Sequence, residues 1–484
     1  MNTTTPLSQE VWAHTPAEAQ AYIRALEARV TALEATVQPL LERLRMDSRT
    51  SSQPPSSDPP ATRRPRQRRT PSGRKPGGQP GHHGQTRMLV PLEDVEAVLP
   101  VKPTHCARCQ HPLHGEDGQP QRHQVTELPP VQPVVTEYQL HGLVCPACGA
   151  TTRATLPVGV PAGGFGPRVH AIVALCTGAY HLSKRTTQDV MKDLFGIPMG
   201  LGTIANVEHA TVQALAAPVA EAQTHVRAQA IAHLDETGWR EGRARAWLWV
   251  AVTAWVTVFV VRLSRGAKVA QELLGERFCG TLVTDRWSAY TWYPTRWRQV
   301  CWAHLLRDFE AMIERGGRSQ EIGTALREQV QQMFHAWHRV RDGTLPHAEF
   351  RILMRPIRRH VARLLKAGQT CGVAKTEGVC REMRKVYDTL WTFVRVEGVE
   401  PTNNAAERAI RPGVLWRKGS FGTQSANGSR FVEAMMTVVA TLKQQHRNVL
   451  AYMTDACQAA STGRPAPSLL PCHFEAEEDL PVAA

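Results

Sequence analysis

Residues 230–239 read AIAHLDETGW, and residues 280–287 read GTLVTDRW. In each, an apolar and β-prone run stops at an aspartate, which predicts a buried strand carrying Asp235 or Asp285 at its C-terminal tip. Between them ARAWLWVAV and VTVFVVRLS supply two more strands, close enough in sequence to complete an antiparallel meander with the first. RQVCWAH supplies a fifth strand after Asp285. The apolar run Ala246–Val261 is rich in Val, Trp and Thr, is held between Arg245 and Arg262, and is too short to span a membrane, so it reads as strands.

Three strands, a helix, a strand, a helix and a strand are what an RNase H-like core supplies. The fold class expected is therefore multidomain α/β, with such a core over residues 229–425 and a helical, basic insertion at about 305–395. A third acid, Glu407, lies in NNAAERAIRP, where Asn403 or Asn404 caps a helix that carries it inward. Carboxylates gathered at strand ends suit phosphodiester cleavage by two metals, in which cations hold the attacking and the leaving oxygen. Mg²⁺ or Mn²⁺, two per active site, prefers such oxygen ligands. Asp308 and Glu310 follow the fifth strand instead of standing at its tip, and Glu236 points to the face opposite Asp235. Arg408, Arg411, Arg417 and Lys418 surround Glu407, while His304 and Arg307 lie one helical turn apart in CWAHLLRDF. These cations are expected to meet DNA phosphates. A purely structural His–Arg pair accounts equally for the last two.

Lys and Arg number 57 against 43 Asp and Glu, a net charge of +14, which favours a polyanionic partner such as DNA. Residues 1–46 are expected to form a coiled coil, because Ile23, Leu26, Val30, Leu33, Val37, Leu40 and Leu44 fill alternating a and d positions, although Pro39 should kink or end the helix. Residues 47–90 read as a basic linker whose Arg63, Arg64, Arg66, Arg68 and Arg69 can release counterions from DNA without reading sequence. In residues 91–160, Cys106-Ala-Arg-Cys109 and Cys145-Pro-Ala-Cys148 predict a zinc-ribbon-like module with one structural Zn²⁺ on four thiolates, and a strand, turn and strand between the pairs. Residues 161–228 read as a helical domain in which a helix-turn-helix is one option, and residues 426–484 as helices and a tail. The start of the chain lacks the basic and apolar regions of a signal peptide, so a cytoplasmic, nucleoid-associated protein is expected, with no membrane partner.

On HLDETGWR, VTDRWSAY, CWAHLLRDF, NNAAERAIRP with RKGSFGTQSANGS, the paired CxxC motifs, SSQPPSSDP, GGQPGHHG and the closing LLPCHF, the chain resembles the bacterial transposases of the insertion-sequence-66 family over nearly its whole length. The resemblance implies a DDE core with Asp235, Asp285 and Glu407 as its metal-binding acids. It implies DNA transposition, binding of element ends and target, and often two small accessory proteins of the same element. Trp287 stands where that family more often has Tyr or Gly. A homo-oligomer is expected, since two element ends must be held together. Two other readings compete: an inactive, domesticated DNA-binding protein, and an RNase H-fold nuclease without strand transfer.

Overall fold

The computed structural model describes residues 9–45 and 88–471. The arginines expected to contact DNA from the linker, Arg63 to Arg69, lie outside the described residues. At the N-terminus, α1 (Gln9–Ala13) leads into α2 (Ala17–Arg45). The second helix runs through Pro39 without ending there, contrary to the sequence expectation: a proline removes one backbone donor, and the flanking turns hold the helical path. Leu26, Val30, Leu33 and Val37 are all exposed on α2, so this apolar stripe is not covered by the described residues.

The cysteine motifs form two turns with the same wiring. In the first, Cys106 N donates to His111 O and Gln110 N to Cys106 O, both at 2.9 Å. In the second, Cys145 N donates to Ala150 O and Gly149 N to Cys145 O, both at 2.8 Å. Gln110 and Gly149, equivalent positions, both have positive φ, 58° and 76°. The strands here are β1 (Gly142–Val144) and β2 (Thr151–Arg153), paired antiparallel around the second turn. The strand-turn-strand expected between the motifs is absent from residues 123–141. Pro129, Pro130 and Pro133 each lack the N–H that a strand ladder needs there.

Three helices follow: α3 (Pro167–Gly178), α4 (Lys184–Phe195) and α5 (Leu201–Arg227). Ser183 caps α4 by accepting from Thr186 N, and Gly196, at φ 64°, ends it. Leu215, Ala222 and Val226 of α5 share one core with the sheet, and so do Ala171, Ala174 and Leu175 of α3. The segment that the sequence set apart is thereby continuous with the core.

The central sheet comprises β3 (Ile231–Glu241), β4 (Ala244–Val252), β5 (Thr257–Arg262), β6 (Thr281–Thr284) and β7 (Arg298–Val300), with α6 (Ala267–Leu274) before β6. The spatial order is β5-β4-β3-β6-β7. The first three strands are antiparallel, and β6 and β7 add in parallel. The chain then makes a helical insertion, α7 (Trp302–Glu314), α8 (Gly317–Arg341), α9 (His347–Gly368), α10 (Ala374–Lys385) and α11 (Thr392–Arg395). Phe309, Leu326, Met354 and Trp391 belong to a core of the insertion, which reaches the sheet through Val283 and Val300. Its two ends meet: Trp302 N donates to Pro401 O at 2.9 Å, and Asn403 N to Cys301 Sγ at 3.1 Å.

Three helices close the fold: α12 (Asn404–Ser420), α13 (Ala426–Gln444) and α14 (Val449–Ser461). Ala406 and Ile410 of α12 cover the face of β3 and β4 that carries Leu248 and Val250. An edge strand normally leaves its outer N–H groups unpaired. Along β5 those of Thr257, Phe259 and Val261 are taken by Thr441 Oγ1, Thr437 Oγ1 and Glu433 Oε1 of α13, at 3.1, 3.0 and 2.7 Å. Among the described residues, no helix is long and apolar enough to cross a membrane.

Candidate active site

The parallel register of β3 and β6 runs Ile231↔Thr281, Ala232↔Leu282 and His233↔Val283. Two residues beyond the last of these pairs stand Asp235, still within β3, and Asp285, which directly follows the end of β6 at Thr284. Asp235 is not at the tip of its strand, as the sequence suggested, because β3 continues to Glu241. It is the pairing with β6 that stops, which leaves Asp235 at the open end of the parallel ladder. Across the antiparallel ladder Asp235 faces Val250, on the side covered by α12.

Asn403 fixes how α12 approaches. It occupies the capping position, as expected, but its side chain makes no capping bond. Instead Nδ2 donates to Leu234 O at 2.8 Å, and Oδ1 lies 3.2 Å from His233 Nδ1. The helix is thereby stapled to β3 one residue before Asp235, with Glu407 one turn into the helix. Burial pushes the Asp235 carboxyl well above the usual range, and the negative charges of Glu236, Asp285 and Glu407 add to the shift. Asp235 is thus near enough to each of the other two expected acids to feel its charge.

The Glu407 carboxylate nevertheless engages a different partner. Its Oε1 lies 3.5 Å from His304 Nδ1. Both atoms are buried and neither has a hydrogen-bond partner. Among the described residues, the group of three metal-capable side chains whose ligand atoms all lie within 4.8 Å is Cys301, His304 and Glu407. The four knuckle cysteines do not form such a group. Cys106 is bonded by Cys109 and Cys145 by Cys148, and backbone N–H groups, first those of Cys109 and of Ala147, hold the Cys106 and Cys145 thiols below the ordinary range. Inward-pointing amides of this kind suit a thiolate held on a metal.

Asp285 sits in a turn where Trp287 N donates to its Oδ1 at 2.8 Å. The loop behind it rests on Glu236, which lies on the opposite face of β3, as expected. Tyr290 donates its hydroxyl to Glu236, and Arg265 Nε donates to it at 2.9 Å. The Arg265 guanidinium in turn lies 4.1 Å from the centre of the Trp287 ring. Burial, then the charge of Asp285, raise Glu236 to about 7. From below, the buried Arg298 donates to Asp285 O at 2.9 Å. Sequence reasoning missed this support; the Tyr that closes TDRWSAY, five residues after Asp285, was its only trace.

The decoy acids are occupied elsewhere: Asp308 pairs with Arg286 at 2.9 Å, and Glu310 with Arg327 at 3.1 Å. Of the expected phosphate contacts, Arg408, Arg411 and Lys418 are exposed and Arg307 is half-buried. Arg417 is committed to the protein, donating to Thr237 Oγ1 at 3.3 Å and to Gly238 O. That correction follows from the length of the arginine, which reaches back to β3 from the last turn of α12. The sequence analysis also passed over Arg351, Arg355, Arg359 and Arg363, exposed at four-residue spacing along α9. Such spacing aligns them on one helical face.

With this geometry in view, the comparisons with known proteins give the family. Residues 162–430, more than half of the chain, match the Transposase IS66 family, and the chain belongs to it. Residues 103–149 match the zinc-finger binding domain of transposase IS66, and residues 3–88 match a family of unknown function. An uncharacterized protein, y4qI of Sinorhizobium fredii (strain NBRC 101917 / NGR234), is 26% identical over 261 residues, which are 48% of this chain and 47% of that protein. The chain thus spans about half the length of this curated relative.

Proposed function

We propose that the chain is a DDE transposase with an RNase H-like core, which binds the ends of an insertion sequence and cuts and joins DNA strands. What supports this reading is the parallel pairing of β3 and β6, with Asp235 two residues past its last pair and Asp285 directly after β6, together with the stapling of α12 to β3 at Leu234. A buried Asp235 that feels the negative charges of Asp285 and Glu407 suits a site for Mg²⁺ or Mn²⁺. When bound, two such ions would hold the attacking and leaving oxygens of a phosphodiester.

The residues of this chain then divide the work. Asp235 and Asp285 supply negative charge at the open end of the ladder. Glu236, Tyr290 and Arg298 hold the Asp285 loop in place. Arg408, Arg411 and Lys418 flank the site where DNA backbone would lie, and the α9 arginines extend the basic surface. Cys106, Cys109, Cys145 and Cys148 would hold one structural zinc, which requires the two pre-wired knuckles to close on each other. The exposed apolar stripe of α2 would pair with a second copy of the chain.

The test is cleavage and joining of DNA carrying the element's ends. Wild-type protein should act with Mg²⁺ or Mn²⁺ and not with Ca²⁺, whose longer coordination positions the reacting oxygens poorly. Asp235→Asn and Asp285→Asn should each abolish both steps while DNA binding persists, because affinity comes from the cations. Strand transfer by either variant would overturn the assignment.

A further inference from the structure

We propose a second metal site beside the carboxylates, in which Cys301 Sγ, a ring nitrogen of His304 and a carboxylate oxygen of Glu407 hold one borderline-soft divalent ion of the zinc class.

Cys301 follows β7 and occupies the position that opens α7, and His304 is one turn into the same helix. Glu407 arrives from α12, whose first residues bond to the cysteine through Asn403 N and Cys301 Sγ at 3.1 Å. The strand-to-helix junction and the stapled helix thus converge on one point, where the three ligand atoms lie within 4.8 Å of one another. A nitrogen and an oxygen each about 2.0–2.1 Å from a tetrahedral zinc stand about 3.4 Å apart. His304 Nδ1 and Glu407 Oε1 stand 3.5 Å apart, too far for a good hydrogen bond, and both are buried without a partner. Two orphaned buried polar atoms facing each other at ligand spacing are what a cation would satisfy.

The donor set decides the class of ion. A sulfur and an imidazole favour zinc over magnesium, which prefers oxygen ligands and keeps its waters. Three protein ligands leave a fourth tetrahedral position for water. The site shares Glu407 with the proposed catalytic centre. On that reading, zinc bound here holds the carboxylate toward His304 and away from Asp235 and Asp285, so excess zinc restrains the DNA chemistry.

The experiment is equilibrium dialysis of the full-length chain against ZnCl₂, with bound zinc counted per chain. Cys301→Ser and His304→Ala should each bind one zinc ion fewer than wild type, while Cys109→Ser loses the knuckle ion and keeps this one. With Co²⁺ in place of zinc, His304→Ala should lose the visible absorption of one tetrahedral ion. Should Cys301→Ser fail to fold by circular dichroism, His304→Ala decides alone. Equal zinc content in wild type and His304→Ala overturns the proposal. Because the readout is metal content, a chain that binds this ion but transfers no strand would refute the function proposed above and leave the site intact.

Discussion

The cysteine knuckles and the proposed carboxylate site contrast a local with a gathered way of building a metal centre from one chain. Each knuckle is local: four consecutive residues and two backbone hydrogen bonds make half a site, and the second half repeats the wiring 39 positions later, Cys145 answering Cys106. The carboxylates are gathered by topology. Asp235 and Asp285 meet because β3 and β6 run parallel in register, and Glu407 arrives only after the insertion has been traversed. Local sites can therefore fail alone, whereas damage to the gathered site spreads through the sheet that assembles it.

The sharpest break in this comparison is expected at Glu407. Glu407→Gln should lower strand cleavage on the order of 10⁴-fold, as loss of one member of a catalytic unit does. Asp308→Asn, altering an acid already paired with Arg286, should leave cleavage within about tenfold. Cleavage assays on the two variants side by side decide; the reverse ranking would move the third acid into α7.

Next in size is the knuckle. Cys148→Ser should release zinc and unfold residues 103–153, since a structural zinc contributes much of such a module's folding free energy. Thermal unfolding of the sheet domain should stay unchanged. A shared loss of both transitions would show that the knuckles are not a separate unit.

The five strands of the core and the helical insertion were legible in the sequence, because apolar runs survive as a one-dimensional pattern, but two short 3-10 turns, Ser288–Tyr290 and Thr295–Trp297, stand where a helix was expected between the last two strands. Two things were not. The extension of β3 beyond Asp235 was hidden because HLDETGW loses its apolar character where α12, a segment 170 residues later, covers it. The Cys301–His304 contact with Glu407 was hidden because it joins β7 to α12 across the whole insertion. The strands expected between the knuckles failed for the opposite reason: Val and Thr counted as strand formers, and the three prolines among them weighed too little.

The α9 stripe tests whether the basic surface is as distributed as the carboxylates. Arg355→Gln and Arg359→Gln should each reduce the slope of log affinity against log salt by about one, with no change in sequence preference. Fluorescence anisotropy across a salt series measures it, and unchanged slopes would confine DNA contact to other faces.

The smallest effects are those on packing. Gly413 lies where α12 crosses β4, and a Cβ there would come within 2.3 Å of Leu248 Cδ2. Gly413→Ala should cost about 1–3 kcal/mol by overpacking. Tyr290→Phe should cost about 1–3 kcal/mol by leaving Glu236 short of a buried donor. Denaturant titration of both separates the staple of α12 from the support of the Asp285 loop.

The bonded neck between Cys301 and Asn403 also sets an order of events in time. A ribosome adds roughly 5–20 residues per second, and domains fold as they emerge. Asp285 is therefore made roughly ten seconds before Glu407, an interval in which the insertion, with its own core, can close. A nascent chain therefore carries Asp235 and Asp285 but lacks Glu407 until the neck is sealed. Under the function proposed above, the chain gains its third acid only when α12 leaves the ribosome.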